Sequence, residues 1–408
     1  MNMNYTDIEQ QILSPKNIEL AWQEVAKIVD KRGNARAHVS WDNQSLYTSQ
    51  YNTAEMLEGI ARDLRMNNPV RPVLHYKIPK PNSAGHRNIY KFCLPDRIRA
   101  RAIERVIEPI FEKFYTPHLA SYRAGMGHLP VAKATARRHR RHWKQDYVWR
   151  VDVKKYVETI PHDGLMAYLK NKVQLSDQVL LWLEKFIVPP IYNSDTGTCS
   201  TLPYGVPTGT GLGNHFMNIY LTDIDKLIGT QTCFYRRMGD DLIILDPRKE
   251  LILALEKQAE QIIIDKKLKF NSSKSCIGKV SKTPFDYVGY QFERGTVGIQ
   301  PKRAMKAVHR WGVLLAPQEL NMNQKRARLQ RIYADNNGVM QDWRDFFLNY
   351  RYTNNDAQMQ EIHGQVLRIL SRYLYRSESP RNKEKAKKQV KQWGLPTFLS
   401  AYYNFKYQ

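Results

Sequence analysis

The sequence predicts an α+β protein in which strands and helices alternate as far as about residue 300 and only helices follow. Two observations carry this. Short β-rich apolar stretches (Val148–Val153, Cys233–Leu245, Phe285–Ile299) interrupt segments whose apolar residues recur with the helical period of 3.6. From residue 301 only the helical period remains. The charge changes at the same place: residues 301–408 hold 20 Lys and Arg against 8 Asp and Glu, half of the chain's net +24. The expected divisions are a helical extension over 1–70, a mixed core over 71–300 and a basic helical region over 301–408.

In chain order, residues 6–30 and 53–66 read as amphipathic helices around the polar loop Lys31–Ser45. Pro69, Pro72, Pro79 and Pro81 bracket an extended segment, Val73–Ile78, because proline and its predecessor disfavour helix. A turn over Asn82-Ser83-Ala84-Gly85 precedes a helix over Arg97–Tyr115. Residues 131–144 form a basic helix and Val148–Val153 a strand. Helices follow near His162–Lys172 and Gln178–Phe186. A Gly/Pro-rich loop covers 189–213 and a helix covers Asn214–Leu227. Cys233–Met238 and Leu242–Leu245 form a hairpin about Gly239-Asp240-Asp241. A long helix over 249–267 and strands at Phe285–Phe292 and Val297–Ile299 complete the mixed part.

The chain has 408 residues, 42% of them hydrophobic, enough for a large core, so wholesale disorder is excluded. An excess of 63 basic over 39 acidic residues calls for a polyanionic partner, nucleic acid before membrane. No apolar run reaches the roughly 18 residues of a transmembrane span. The polar start MNMNYTDIEQQ is unlike a secretory or transit signal, and the end NFKYQ lacks a lipidation motif. Cys93, Cys199, Cys233 and Cys276 lie far apart without a CxxC. That argues against a zinc ribbon or disulfide framework and leads us to expect a cytoplasmic protein.

The strongest chemical signal is Met238-Gly239-Asp240-Asp241 at the tip of an apolar hairpin. Two carboxylates presented by a buried hairpin are costly unless cations neutralise them. The second is Asp152, which ends the stretch Trp149-Arg150-Val151-Asp152. A strand-end acid beside a hairpin-tip pair can hold two Mg²⁺ ions about 3.5–4 Å apart, the arrangement of in-line phosphoryl transfer. Oxygen-only ligands suit Mg²⁺ or Mn²⁺ and not zinc. An Asp-Asp pair alone is ordinarily a solvated turn; what speaks for chemistry is the order and number of further motifs.

Val151-Asp152-Val153-Lys154-Lys155-Tyr156-Val157-Glu158-Thr159-Ile160-Pro161-His162 resembles the first catalytic block of reverse transcriptases of the bacterial, group II intron-like type. Gly205-Val206-Pro207-Thr208-Gly209-Thr210-Gly211, running on to Asn218-Ile219-Tyr220-Leu221, resembles their Pro-Gln-Gly loop and helix. Arg237–Asp241 resembles the Tyr-x-Asp-Asp hairpin. Phe270-Asn271-Ser272-Ser273-Lys274 and Phe285-Asp286-Tyr287-Val288-Gly289-Tyr290-Gln291-Phe292 resemble the following loop and the primer grip. Upstream, Ile78-Pro79-Lys80-Pro81 to Arg87, Asp96-Arg97 and Ser121-Tyr122-Arg123-Ala124-Gly125 resemble the fingers. The blocks run in order over roughly 17–300, and residues 17–70 are similar to the N-terminal extension of intron-type enzymes.

This resemblance implies a right-hand polymerase: α+β palm and fingers with an α-helical thumb. It implies RNA-directed DNA polymerase activity with two Mg²⁺ ions. Asp152 and Asp240, assisted by Asp241 and the Val153 backbone carbonyl, would hold the metals. Lys80 and Arg87, seven residues apart across a turn, would meet the triphosphate of a deoxynucleoside triphosphate, Arg87 with a planar fork and Lys80 as a point charge. Thr208 and Gly209 would line the nucleotide, with Gly205 and Gly209 allowing close backbone approach. Lys274 is the candidate general acid for pyrophosphate, with an ordinary surface lysine as the alternative.

Three positions depart from the family pattern. Thr208 replaces the usual Gln and loses an amide. Met238 replaces the hairpin Tyr and loses a hydroxyl. Val157, five residues after Asp152, stands where the family places an aromatic steric gate against a 2′-OH, which implies weakened sugar discrimination. Tyr156 as the gate, one residue earlier, is the alternative alignment.

Arg137, Arg138, Arg140, Arg141 and Lys144, with Lys133, cover most of the basic helix and suit a template phosphate backbone. His139 and His142 lack further ligands and read as part of a solvated basic helix rather than a metal site. In the tail, Trp311, Trp343, Phe346, Phe347, Tyr350 and Tyr352 are expected in the helical core, and Arg381–Lys391 as a charged face for structured RNA. Tyr402, Tyr403 and Tyr407 are candidate priming hydroxyls, with packing of a terminal helix as the stronger reading.

With no endonuclease-like or further maturase-like segment after the tail, the chain looks most like the stand-alone, defence-associated "unknown group" enzymes. That implies anti-phage defence, a structured noncoding RNA template, a DNA product, and a second copy or an accessory defence protein as candidate protein partners. An RNA-dependent RNA polymerase or relaxed-sugar polymerase is one alternative. A non-catalytic, maturase-like RNA-binding scaffold is the other; mutual repulsion among unused clustered acids argues against it.

Overall fold

The computed structural model describes residues 5–30, 52–80, 85–316, 319–335 and 338–406. The loop Lys31–Ser45, the turn residues Asn82, Ser83 and Ala84, and Tyr407 lie outside them. The chain forms two compact units. One comprises residues 1–124, 151–242 and 250–275; the other comprises 125–150, 243–249 and 276–408.

The first unit begins with α1 (Tyr5–Leu13) and α2 (Pro15–Asp30). The single helix expected over 6–30 is two, because Ser14 Oγ takes the Asn17 N–H at 3.1 Å and Pro15 starts a new helix. After α3 (Thr53–Arg65), strands β1 (Val73–Pro79) and β2 (His86–Lys91) form an antiparallel hairpin with Ile78 opposite Arg87. Helix α4 (Leu94–Glu112) is the centre of the unit; α1, α2 and α3 pack on it. Ile98, Ile103, Ile107 and Phe111 are fully buried on α4 at helical spacing. Asp96, also fully buried, accepts the Arg71 N–H at 2.9 Å and an Arg71 guanidinium N–H at 3.2 Å. It therefore ties the chain before β1 to α4.

Strand β3 (Tyr147–Asp152) precedes α6 (Tyr156–Thr159) and α7 (His162–Tyr168), and α5 (His128–His142) precedes it. Helix α8 (Asp177–Ile187) has Ser176 as its cap. The loop expected over 189–213 contains two short strands, β4 (Ile191–Asn193) and β5 (Thr198–Ser200); β4 pairs in parallel with β1. Three residues each are too few for a period-2 signal. The helix expected over Asn214–Leu227 is two, α9 (Gly211–Tyr220) and α10 (Thr222–Gly229), parted at Leu221. Helix α9 packs on α4.

Strands β6 (Tyr235–Met238) and β7 (Asp241–Asp246) form the expected hairpin, and α11 (Lys249–Asp265) follows. A sheet of order β6-β7-β3-β8 includes β8 (Cys276–Lys279), which lacks an apolar alternation to reveal it.

In the second unit, β9 (Phe285–Tyr287), β10 (Tyr290–Glu293) and β11 (Thr296–Ile299) form an antiparallel sheet. The single strand expected over Phe285–Phe292 turns back at Val288-Gly289, both at positive φ. Helices α12 (Pro301–Leu314), α13 (Met322–Ala334), α14 (Val339–Asn349), α15 (Asp356–Tyr375), α16 (Pro380–Gln392) and α17 (Phe398–Lys406) follow. Trp311, Trp343, Phe346, Phe347 and Phe398 make their aromatic core and Tyr350 packs on it. Tyr352, expected there, is not part of it. Tyr402 is a core residue and Tyr403 packs beside it, so both hydroxyl-bearing rings serve packing. None of the four cysteines is in a disulfide, and among the described residues no helix is long and apolar enough to cross a membrane.

Candidate active site

Asp152 ends β3 and is 7% exposed. Its backbone carbonyl accepts the Asn271 N–H at 2.8 Å, and the Lys154 N–H reaches Lys269 O at 2.8 Å. These two bonds flank a bridge between Val153 and Phe270. They run through Asp152 and Lys154, so the bridge leaves the Val153 carbonyl out of its hydrogen bonding. The same chain reversal brings Lys274 to the acid: its Nζ donates to Asp152 Oδ2 at 2.5 Å. Asp152 Oδ1 is buried without a hydrogen-bond partner.

Gly239 and Asp240 join β6 to β7. Of the two only Gly239 has positive φ (67°), as a type II′ turn requires. Nothing crowds a Cβ built at Gly239, so its backbone conformation, not space, calls for glycine. The Asp240 carboxyl is pushed up to about 6, first by burial and then by the negative charges of Asp152 and Asp241, while Lys274 pulls it down. Asp152, Asp240, Asp241 and Lys274 thus share one electrostatic neighbourhood.

Among the described residues, no three His, Cys, Asp or Glu side chains form a closed ligand cluster. The three acids are therefore not a preformed cage, and Lys274 supplies the counter-charge at Asp152. The site still fits a hard cation. Its donors are oxygens, Asp152 Oδ1 is buried and unpartnered, and Mg²⁺ ordinarily takes one or two carboxylates with phosphates and water completing its shell.

The turn is held by Ser121, Asn218 and Arg237, which lie in the quoted motifs but to which no role was assigned, and by Asp225 outside them. Gly239 N–H donates to Ser121 Oγ at 2.9 Å, and Gly239 C=O accepts from Arg237 at 2.8 Å. Ser121 Oγ donates to Asn218 Oδ1 and Asn218 Nδ2 donates to Ser121 O, each at 2.8 Å. Arg237 is fully buried against Asp225, which also accepts the Tyr235 hydroxyl at 2.7 Å. The usable signal was strand alternation in Tyr235-Arg236-Arg237-Met238, which turns Arg237 to the same face as the buried Tyr235, where a charge needs a partner.

Tyr156 is buried and its hydroxyl donates to Met217 O at 2.7 Å; Val157 is half-buried. Val206 N–H donates to Val157 O at 2.9 Å, and His162 Nε2 donates to Gly205 O at 2.7 Å. The glycines of this loop have a different reason from the one expected. A Cβ on Gly205 (φ 87°) would lie 2.7 Å from Val157 O, and one on Gly209 would lie 2.5 Å from Tyr90 O. Both approach protein backbone, which explains them without a nucleotide. Thr208 is half-buried between them. Lys80 and Arg87 are exposed at the end of the β1–β2 hairpin, where Lys80 N–H donates to Gly85 O at 2.7 Å.

In the second unit, α5 exposes Lys133, Arg137, Arg140 and Arg141, with Lys144 just beyond it, its Nζ 5.5 Å over the Trp143 ring. Arg140 also bonds the Tyr352 carbonyl. Arg138 differs: it grips buried Asp146 through Nε at 2.6 Å and through NH2 at 2.5 Å, a structural role. His139 is not solvated but 1% exposed. It is edge-on to Phe285 and Phe292, and its Nε2 accepts the Gly295 N–H at 3.1 Å.

The profile of the family "Reverse transcriptase (RNA-dependent DNA polymerase)" matches residues 78–292, more than half of the chain. The chain belongs to the reverse transcriptase family. The enzyme is thus an RNA-directed DNA polymerase of α+β, right-hand type, and the matched span contains Asp152, Asp240, Asp241 and Lys274. A search of the curated proteins finds no match. Among solved structures, one of telomerase from Candida albicans in complex with a TWJ fragment of telomeric RNA is similar at 12% identity and a TM-score of 0.45. The likeness covers 86% of this chain and 68% of that one. It is too distant to add to the fold described above.

Proposed function

We propose that this reverse transcriptase extends a 3′-hydroxyl by metal-assisted nucleotidyl transfer, with Asp152 and Asp240 holding two Mg²⁺ or Mn²⁺ ions and Asp241 and the Val153 carbonyl assisting. The observation that carries it is the buried, unpartnered Asp152 Oδ1 on a carboxylate close enough to Asp240 for its charge to raise that group. When bound, the ions acidify the primer hydroxyl and neutralise the triphosphate. Ser121, Arg237 and Asn218 hold the acid-bearing turn in place. Lys274 neutralises Asp152 and is the residue we assign to hand a proton to departing pyrophosphate. Lys80 and Arg87 bind the triphosphate, and Arg137, Arg140, Arg141 and Lys144 bind template phosphates.

The finer reading is a bacterial, cytoplasmic, defence-associated enzyme that copies a structured noncoding RNA. It rests on the order of the motifs and on the altered Thr208, Met238 and Val157. Sequencing nucleic acid that co-purifies with the wild type and with Asp240→Ala/Asp241→Ala tests it. DNA complementary to one structured RNA, lost in the double variant, is expected. An RNA product would favour an RNA-dependent RNA polymerase, and the same product from both proteins would favour a binding scaffold.

Relaxed sugar selection is a second reading with its own observation. The Tyr156 phenol is committed to Met217 O, which leaves Val157 as the residue at the gate position. Extension with matched rNTP and dNTP pools should show ribonucleotide incorporation that Val157→Phe suppresses. A strong dNTP preference unchanged by Val157→Phe would remove the idea.

A further inference from the structure

Beyond β6, the first unit has one more extended segment. Leu119 pairs in parallel with Arg237; Arg237 N–H donates to His118 O and Ala120 N–H to Arg237 O, each at 3.0 Å. Since the sheet runs β6-β7-β3, residues 118–120 flank the acid-bearing turn on the side away from Asp152 and Val157. Ser121 then binds Gly239, and Tyr122 is the next residue.

Tyr122 has φ 55°, a region that bulky side chains rarely adopt. Its neighbours impose this. Ser121 exchanges two hydrogen bonds with Asn218. Arg123 is held by Glu112 at 2.7 Å, Thr116 O at 2.8 Å and Leu119 O at 3.0 Å. The ring gains little packing in return, being 55% exposed. Its hydroxyl is nonetheless raised above the usual tyrosine range, by partial burial first and then by the charge of Asp240. A strained backbone thus presents an open aromatic ring near the Asp240 carboxylate, where glycine would be free of strain.

We propose that Tyr122 is a primer-contact residue, its ring packing on the nucleotide at the growing 3′ end, on the flank of Asp240 opposite the incoming nucleotide. The inference rests on the polymerase reading above. The two flanks of the turn then divide the substrates, with the nucleotide on the Val157 side and the primer end on the Tyr122 side. An aromatic face suits a base of any identity, as extension through all sequences requires.

The test uses the full chain with Tyr122→Phe, Tyr122→Ala and Tyr122→Gly on a defined primer–template. Ala and Gly should weaken primer–template binding about tenfold, the usual scale for one lost base–aromatic stack. They should leave the KM for dNTP unchanged, and Phe should behave as wild type. Tyr122→Gly should also match or exceed the wild-type Tm, because glycine accepts positive φ; a purely structural tyrosine would not lose primer affinity while gaining stability. A 5-iodouracil at the primer 3′ end should photocrosslink to Tyr122. Unchanged primer affinity in Ala and Gly, or a crosslink that maps elsewhere, overturns the proposal. Binding and crosslinking need no turnover, so they judge Tyr122 even if the wild type extends no primer, an outcome that would count against the polymerase reading instead.

Discussion

Arg237 and Asp225 meet at 2.6 Å with both side chains fully buried, and the same guanidinium holds the Gly239 carbonyl beside Asp240. A buried pair contributes little net stability compared with apolar packing, but a lone survivor is costly. Asp225→Asn should therefore destabilise the protein by about 3–5 kcal/mol in urea unfolding. The joint replacement Asp225→Leu with Arg237→Met should recover most of that loss while polymerisation stays low, because the turn has lost its tether. A recovered activity would show that Arg237 does not position the turn.

Lys274 competes with any cation for Asp152 Oδ2. Its side chain is 59% exposed, so water screens the pair. Lys274→Ala should lower the Mg²⁺ concentration for half-maximal activity about two- to fivefold, the scale of a screened ion pair. It should also reduce kcat if Lys274 protonates pyrophosphate. A Mg²⁺ titration that superimposes on wild type would contradict the competition.

His139 is held neutral, pushed down to about 4 by its burial, with the Arg140 charge adding to the effect and backbone hydrogen bonds opposing it. The unfolded chain takes up this proton near the ordinary 6.5. The stability it supports is therefore complete above about 6.5 and declines as pH falls toward 4, by about 3 kcal/mol in total. Urea midpoints measured from pH 7 to pH 4.5 should fall, and more steeply than in His139→Phe. Parallel curves for the two proteins would exclude His139 as the source.

Gly205 combines a positive φ with a Cβ position 2.7 Å from Val157 O. Gly205→Ala should cost about 1–3 kcal/mol in thermal unfolding, on the scale of a strained backbone. Because the loop and Val157 share a hydrogen bond, discrimination between dNTP and rNTP should change with it. A variant as stable as wild type would mean that the loop and Val157 are not packed as described.

The motifs, the helical tail and the hairpin were legible because each is local. Asp240 and Asp241 lie at a turn between two strands, and the bulky aromatics Trp311, Trp343 and Phe346 within helical segments announce a helical core. The boundaries that sequence reading missed also have local causes that periodicity does not register. Ser14-Pro15 and Leu221 divide helices, Val288-Gly289 reverses a strand, and β4 and β5 are three residues each. Arg138 and His139 show the limit of reading charge by composition. Both lie in a basic run, yet one is spent on Asp146 and the other enters an aromatic core.

The sequence by itself determined which acids are available, their order along the chain and the family they belong to, because these depend only on residue type and spacing. Tertiary structure alone decided that Lys274 neutralises Asp152 across 122 residues and that Ser121 holds Gly239 across 118. Neither pairing repeats with any helical or strand period. Both exist because folding brings remote chain segments to the same hairpin end, and the directional bonds made there set where each carboxylate points.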